Sequence, residues 1–160
     1  MNVEYHPIGI IHSPFQSTEG TPIQPSAGPG LKGTVEVFPE FSQGLKDLSG
    51  FSHVVLIYHL HHSVGYHLLV VPFLDTEERG VFATRAPRRP NSIGLSVVRL
   101  VDVEGNTLHV ENMDVVDGTP LLDIKPYVPD FDSHVEVRIG WLEKVRERLR
   151  DSRADGRFKQ

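Results

Sequence analysis

The stretch Leu95-Ser-Val-Val-Arg-Leu-Val-Asp-Val-Glu-Gly-Asn-Thr-Leu-His-Val-Glu-Asn-Met-Asp114 decides the fold class. Valine and leucine dominate both sides of Glu104-Gly105-Asn106, so the run reads as two strands, residues 95–103 and 107–114, joined by a tight hairpin. Moving outward, residues 8–12 form an apolar run stopped by Ser13-Pro14, and residues 33–38 alternate Val35 and Val37 against Thr34 and Glu36. Residues 53–60 are nearly continuous Val, Leu and Ile, as expected of a strand covered on both faces. Shorter strands are expected at 70–74, 80–84, 122–125 and 135–138. Helical signal is thin: residues 41–48 suit one or two turns, and residues 141–151 carry Leu, Glu, Lys and Arg in a helix-forming mixture. Many short strands separated by Gly/Pro turns predict a mainly β protein, a small barrel or sandwich.

Size and composition narrow the classes of function. A chain of 160 residues fits one domain with an ordinary core, here residues 1–140, followed by a C-terminal helix and basic tail over 141–160, of which residues 152–160 read as disordered. Cysteine is absent, which excludes disulfides, thiolate catalysis and cysteine-based metal sites. No basic leader or long apolar run marks export or a membrane span, so a soluble cytoplasmic protein is expected. Residues 141–160 hold seven Lys/Arg against four Asp/Glu, leaving nine against seventeen in residues 1–140, a net −8. So acidic a body disfavours DNA and generic nucleic-acid binding, and any RNA contact must use local patches. The candidates are the tail around Arg146, Arg148, Arg150 and Arg153 and a loop over residues 80–96.

That loop, Gly80-Val-Phe-Ala-Thr-Arg-Ala-Pro-Arg-Arg-Pro-Asn-Ser-Ile-Gly-Leu-Ser96, concentrates Arg85, Arg88 and Arg89 in a segment stiffened by Pro87 and Pro90. Three exposed guanidiniums on a rigid backbone predict an anionic partner. Three other polar segments accompany it: Gln24-Pro25, His61-His62, and Asp114-Val-Val-Asp-Gly-Thr-Pro-Leu-Leu-Asp-Ile-Lys-Pro-Tyr127. In the last, Asp117-Gly118 supplies a tight turn, and Asp123 and Lys125 project to one side of the strand that follows, with Tyr127 two residues on. Backbone groups in such a turn suit the amino and carboxylate ends of an amino-acid-like ligand, or they simply seal the turn through Asx-type hydrogen bonds.

Nine histidines invite a metal reading, above all His59, His61 and His62 with His67 nearby. A His-x-His pair without a His-Glu-x-x-His helix or a matched carboxylate is weak support, and no metal is expected. His53 reads as a strand-end histidine. Phosphate loops, the Gly-x-Gly-x-x-Gly fingerprint and the Gly-x-Ser-x-Gly elbow are all missing, which disfavours nucleotide hydrolysis and the usual dinucleotide fold. Ser92 and Ser96 read as loop and strand residues.

Four motifs together, Ile8-Gly-Ile-Ile-His-Ser-Pro-Phe15, Gly44-Leu-Lys-Asp-Leu-Ser-Gly-Phe-Ser-His53, Gly80-Val-Phe-Ala-Thr-Arg85 with Arg89-Pro-Asn-Ser-Ile-Gly94, and the segment 114–127, resemble the TsaA/TrmO family of S-adenosylmethionine-dependent tRNA methyltransferases. The resemblance covers about residues 5–130. It implies a single closed or nearly closed β-barrel that works as a homodimer and methylates the N6 amine of a modified adenosine beside the anticodon. It also implies a cofactor site built from Gln24, Pro25, Ser26, His61, His62, Arg85, Leu95, Asp117, Gly118, Thr119 and Pro120. The chain departs from many members at Ser26, His62 and Ser92, and longer members continue into a C-terminal domain. A non-catalytic S-adenosylmethionine-binding module and a histidine-based metal protein are the competing readings.

Methyl transfer from a sulfonium is an in-line displacement, so the protein must chiefly hold amine and methyl carbon about 3–3.5 Å apart and aligned. On this reading Arg85 pairs with the cofactor carboxylate, and Arg88, Arg89 and Asn91 face RNA. Asp117 or Asp123 favours the attacking form of the amine, and Lys125 and Tyr127 line the entrance, the tyrosine as a stacking face.

Overall fold

The computed structural model describes residues 1–19 and 30–148. Its strands are β1 (Gly9–His12), β2 (Lys32–Val37), β3 (His53–His59), β4 (Leu69–Val70), β5 (Arg79–Gly80), β6 (Ile93–Glu104), β7 (Thr107–Glu111) and β8 (Thr119–Pro126). Six of them close into a barrel in the order β1-β2-β7-β6-β3-β8, and β8 pairs back onto β1. Every ladder is antiparallel. The mainly β barrel expected from the sequence is therefore the architecture, and the sandwich is excluded.

Alternation fills the interior. Ile11, Val35, Val54, Leu56, Val98, Leu108, Val110 and Leu121 are almost wholly buried, while their sequence neighbours face outward. Val55 and Ile57 are half-buried rather than enclosed, so β3 is covered on one face, not the two its apolar run predicted. Its outer side chains lie on the convex surface of a barrel, where nothing packs as fully as inside. Irregularities between Leu100 and Asp102 in β6, and opposite Ile57 and Tyr58 in β8, bend the two longest strands around the core.

The hairpin predicted at Glu104-Gly105-Asn106 joins β6 to β7, with Gly105 at φ +62°. Its tip is sealed to the end of β2: Val37 N donates to Asn106 O at 2.9 Å, and Asn106 Nδ2 donates to Val37 O at 2.7 Å. Other expectations shrink or move. The strands foreseen at 70–74 and 80–84 reduce to the two-residue pair β4 and β5, followed by a 3-10 turn at Val81–Ala83. Pro72 lacks the amide a longer ladder would need. The strand at 122–125 belongs to the longer β8.

No strand forms at 135–138, where Val135 is fully exposed, because a closed barrel leaves no open edge to receive it. Residues 41–48 form 3-10 turns at Pro39–Leu45 and Leu48–Gly50, and the C-terminal helix is a 3-10 segment, Gly140–Arg148. A short α-helix at Pro129–Asp132 was not foreseen. The disorder expected at 152–160 and the tail residues Arg150 and Arg153 lie outside the described residues.

Gly94 on β6 sits directly against the ring of its β3 partner Tyr58: a Cβ there would fall 2.2 Å from Tyr58 Cε2. The ring cannot swing away, because it is buried and its hydroxyl lies 2.8 Å from Ser96 Oγ. Gly94→Ala is therefore expected to destabilise the protein by about 1–3 kcal/mol, the range for overpacked cores. Gly44→Ala, where a Cβ meets nothing within 4 Å, should change stability by less than about 0.5 kcal/mol. Urea unfolding of both variants checks the contrast.

Candidate functional site on one rim of the barrel

Antiparallel pairing sends alternate strand ends to opposite rims. One rim collects the ends of β1, β3 and β7 and the starts of β2, β6 and β8. Three of the four polar segments noted in the sequence meet there. The fourth, Gln24, Pro25 and Ser26, falls outside the described residues, in the connection from β1 to β2.

The aspartyl turn is fixed to the end of β1. Asp117 N donates to Phe15 O at 2.7 Å and Gly118 N to Ile11 O at 2.9 Å, with Gly118 at φ +75°, a conformation that favours glycine. Ser13 N donates to Asp117 Oδ1 at 3.0 Å, and His12 Nδ1 lies 3.6 Å from the same oxygen. One carboxylate oxygen of Asp117 is thus spent on holding its own turn. Ser13 Oγ donates to Val115 O beside it.

Thr119 ties this turn to the end of β3. Its hydroxyl donates to Val116 O at 2.7 Å, so its oxygen is left to accept from His61 Nδ1 at 3.3 Å. The rings of His61 and His62 lie 4.1 Å apart between centroids. Burial, then the neighbouring His62 and His59, holds His61 below the ordinary histidine value, which keeps it neutral and its second nitrogen an acceptor. Among the described residues no three metal-ligating side chains gather into a site.

The arginine loop is bound to the segment after β3. Leu60 N donates to Ser92 O at 2.8 Å, Ser63 Oγ to Pro87 O at 3.0 Å, and His67 N to Arg88 O at 3.4 Å. Three exposed guanidiniums were expected here, and the structure corrects this. Arg85 is exposed, but Arg88 and Arg89 are half-buried. Arg89 Nη1 turns inward onto Thr84 O at 3.0 Å, Ala86 O at 3.1 Å and Val81 O at 3.5 Å. A proline-stiffened turn leaves carbonyls without ladder partners, and a guanidinium satisfies several at once. Arg89 therefore braces the loop. Arg88 Nη1 lies 3.5 Å from His67 Nε2 while its Nε is buried without a partner among the described residues. Asn91 is exposed and so is Leu95, on the outer face of β6.

From the other side the C-terminal segment supports the same loop. Trp141 Nε1 donates to Ala83 O at 2.8 Å, and the Arg79 guanidinium lies 5.7 Å from the indole while pairing with Asp75 at 2.7 Å. Of the tail cations, Lys144 and Arg146 are exposed, and Arg146 lies 3.9 Å from Glu143.

Sequence reasoning missed the polar chain beneath the rim. Ser96, almost wholly buried, donates to Asp114 Oδ1 at 2.6 Å and sits 2.8 Å from Tyr58 Oη. With the serine proton directed at the carboxylate, the tyrosine donates to the serine. The signal was a serine at the inward-facing position of an otherwise apolar strand, two residues before Val98, where it demands a partner. Burial pushes Asp114 up to about 7, against the opposing effects of the Ser96 hydrogen bond and the Arg85 charge. Burial and the Asp114 charge likewise push Tyr58 far up. The Arg85 charge acts on both groups, lowering each against the effect of burial.

The four residues expected to do chemistry do not gather in one chain. Asp117 is on this rim, whereas Lys125 is level with Val55, and Tyr127 N donates to His53 O at 3.1 Å at the opposite rim. His53 lies five residues along β3 from Tyr58, roughly 17 Å at about 3.3 Å per residue. Asp123 and Lys125 share a face as predicted and pair with each other at 2.8 Å. That hydrogen bond, more than simple charge attraction, raises Lys125 above the usual lysine value.

Fold and rim define a closed six-stranded barrel whose polar loops converge at one end, a class unlike the doubly wound nucleotide-binding proteins. Residues 10–133 match the family described as the tRNA-methyltransferase O N-terminal domain, and the chain belongs to that family. It is 61% identical over 154 residues to a probable S-adenosyl-L-methionine-binding protein of Pyrococcus abyssi, covering 96% of this chain and 84% of the relative. It is 40% identical to the mouse tRNA (adenine(37)-N6)-methyltransferase over 139 residues, 82% of this chain but 32% of that enzyme. The crystal structure of TrmO from Pseudomonas aeruginosa superposes with a TM-score of 0.75 at 40% identity, covering 88% of this chain and 63% of that one.

Asp114 gives the site a signature in stability. A carboxyl whose folded value of about 7 exceeds its ordinary 3.8 holds its proton more tightly in the native state. Its favourable contribution is complete below the lower value and is lost as pH rises through the upper one. Asp114→Asn, permanently neutral, should therefore gain stability relative to the parent between pH 4 and 7.5, as measured by unfolding at both ends of that interval.

Proposed function

We propose that the chain is an S-adenosylmethionine-dependent methyltransferase that acts on the N6 amine of an adenosine beside the anticodon of tRNA. The observation that carries this reading is that the arginine loop, His61 and the Asp117-Gly118-Thr119 turn are tied to one rim, with the Arg85 charge acting on Asp114 just before that turn. Such a site offers a guanidinium for the cofactor carboxylate and a neutral imidazole and turn for its remaining polar groups. Gln24, Pro25, Ser26, His62, Leu95 and Pro120 complete the cofactor site, with S-adenosyl-L-methionine supplying the methyl group. The name carried by the mouse enzyme and the description of the matching family support the reaction and the tRNA substrate.

Arg88 and Asn91 meet RNA, and Arg89 serves that contact by holding the loop. Asp123, Lys125 and Tyr127 stand apart from the rim within one chain, so their part in the reaction is support for an approaching substrate rather than contact with the cofactor. The protein works as a cytoplasmic homodimer on RNA and not on DNA. A second reading, binding without turnover, is favoured by the name of the Pyrococcus relative, a binding protein.

Calorimetry and labelled transfer decide the matter. The full chain should bind S-adenosylmethionine, and Arg85→Ala should weaken that binding by about 2 kcal/mol or more, roughly thirtyfold, the cost of truncating one partner of a charge pair. Unchanged affinity would remove Arg85 from the cofactor site. Methyl label from the cofactor appearing in a tRNA pool selects the enzyme over the binding module, and its absence selects the reverse.

A further inference from the structure

N6 methylation leaves a proton to be disposed of, and the rim offers few groups to take it. The amine lone pair attacks the methyl carbon as the carbon–sulfur bond breaks and its electron pair stays on sulfur. The nitrogen, now positively charged, must lose a hydrogen to an acceptor, and the N–H pair returns to nitrogen. Asp117 has one oxygen held by Ser13 N and His12. Asp123 is paired with Lys125, along β8 and away from the rim. His61 has its Nδ1 on Thr119. Asp117 keeps its second oxygen and His61 its second nitrogen, but neither is a carboxylate oriented from the core. Asp114, half-buried and acted on by the Arg85 charge, has one carboxylate oxygen fixed by the buried hydroxyl of Ser96.

We propose that Asp114 is a catalytic residue that accepts the proton released by the amine, with Ser96 and, behind it, Tyr58 as positioning residues. This rests on the methyltransferase reading above. The groups acting on the carboxylate are Ser96 from β6 by its hydrogen bond, Tyr58 from β3 through that serine, and the charge of Arg85 from the arginine loop. The serine hydroxyl orients the carboxylate, and the tyrosine hydroxyl, donating to the serine, keeps the serine proton directed at it. Tyr58 is itself fixed by its contact with Gly94. Asp114 is itself only half-buried, so the proton it accepts is released to solvent between turnovers. An acceptor that titrates near neutral pH, as burial makes this one, is matched to the task.

The experiment is single-turnover transfer of labelled methyl from S-adenosylmethionine to tRNA isolated from cells lacking the protein, followed from pH 5.5 to 9. For the parent the rate should rise with pH along an acid limb with its midpoint near neutrality. Asp114→Asn keeps an acceptor for Ser96 but cannot take the proton, and should be slower by at least about 100-fold with cofactor affinity within about threefold of the parent. Ser96→Ala removes a hydrogen bond that holds the carboxyl down, so its acid limb should move to higher pH, a shift no merely structural role produces.

An Asp114→Asn rate within about tenfold of the parent overturns the proposal. Loss of cofactor binding in that variant does so too, since it would place Asp114 in the cofactor site. Should Asp114→Asn fail to fold, Ser96→Ala decides alone, and an unmoved limb sinks the idea. A parent protein that binds S-adenosylmethionine yet methylates no tRNA overturns the enzymatic reading first and this proposal with it, a result distinct from any variant's behaviour.

Discussion

The pairing of β8 back onto β1 is the constraint on which the rest depends. Gly9, Ile10 and Ile11 lie opposite Leu121, Pro120 and Thr119, and this register closes the sheet. Closure abolishes open edges, so no row of backbone groups is left for an intruding strand. It also brings the bend at Asp117-Gly118 against residues 11–15, joining segments about a hundred residues apart in the chain. β3 pairs with β8 on its other side, and Thr119 thereby meets His61. The rim is a consequence of strand pairing; its loops converge because the strands beneath them must.

The interior is graded toward that rim. Mid-barrel side chains are Val, Leu and Ile, while Ser96 and Thr119 are the buried polar residues among those described, and both lie at the loop-bearing end. Each is partnered: Ser96 by Asp114 and Tyr58, Thr119 by Val116 O and His61. A buried hydroxyl without such partners would cost on the order of 1–3 kcal/mol. The partners are rim residues, so the bottom of the site and the top of the core are one hydrogen-bonded layer. Rigidity in the core is passed on to Asp114 and His61 through single hydrogen bonds.

Much of this was legible in the residues. The Gly105 hairpin, the apolar strands and the Asp117-Gly118 turn follow from side-chain pattern and backbone freedom, which act over a few neighbours. The motifs carried the family as well. The arginine loop was found but misread in part. Charge and proline are visible in sequence, whereas the three carbonyls that claim Arg89 appear only once the loop has bent. Equally, Asp123, Lys125 and Tyr127 follow the aspartyl turn so closely in sequence that they read as one site. Each residue of extended strand carries them roughly 3.3 Å further from the rim.

By itself the sequence determined the principal strands of the barrel, the Gly105 and Asp117-Gly118 turns and which side chains alternate inward, because these are local matters of period and glycine. The extension expected at 135–138, by contrast, found no sheet edge to join. Tertiary structure alone decided the register and closure, and with them the polar chain of Tyr58, Ser96 and Asp114, drawn from three separate strands or strand ends. The reason is physical. A buried hydroxyl needs a partner, but nothing local to Ser96 says which residue, far along the chain, will be folded to within 2.6 Å of it.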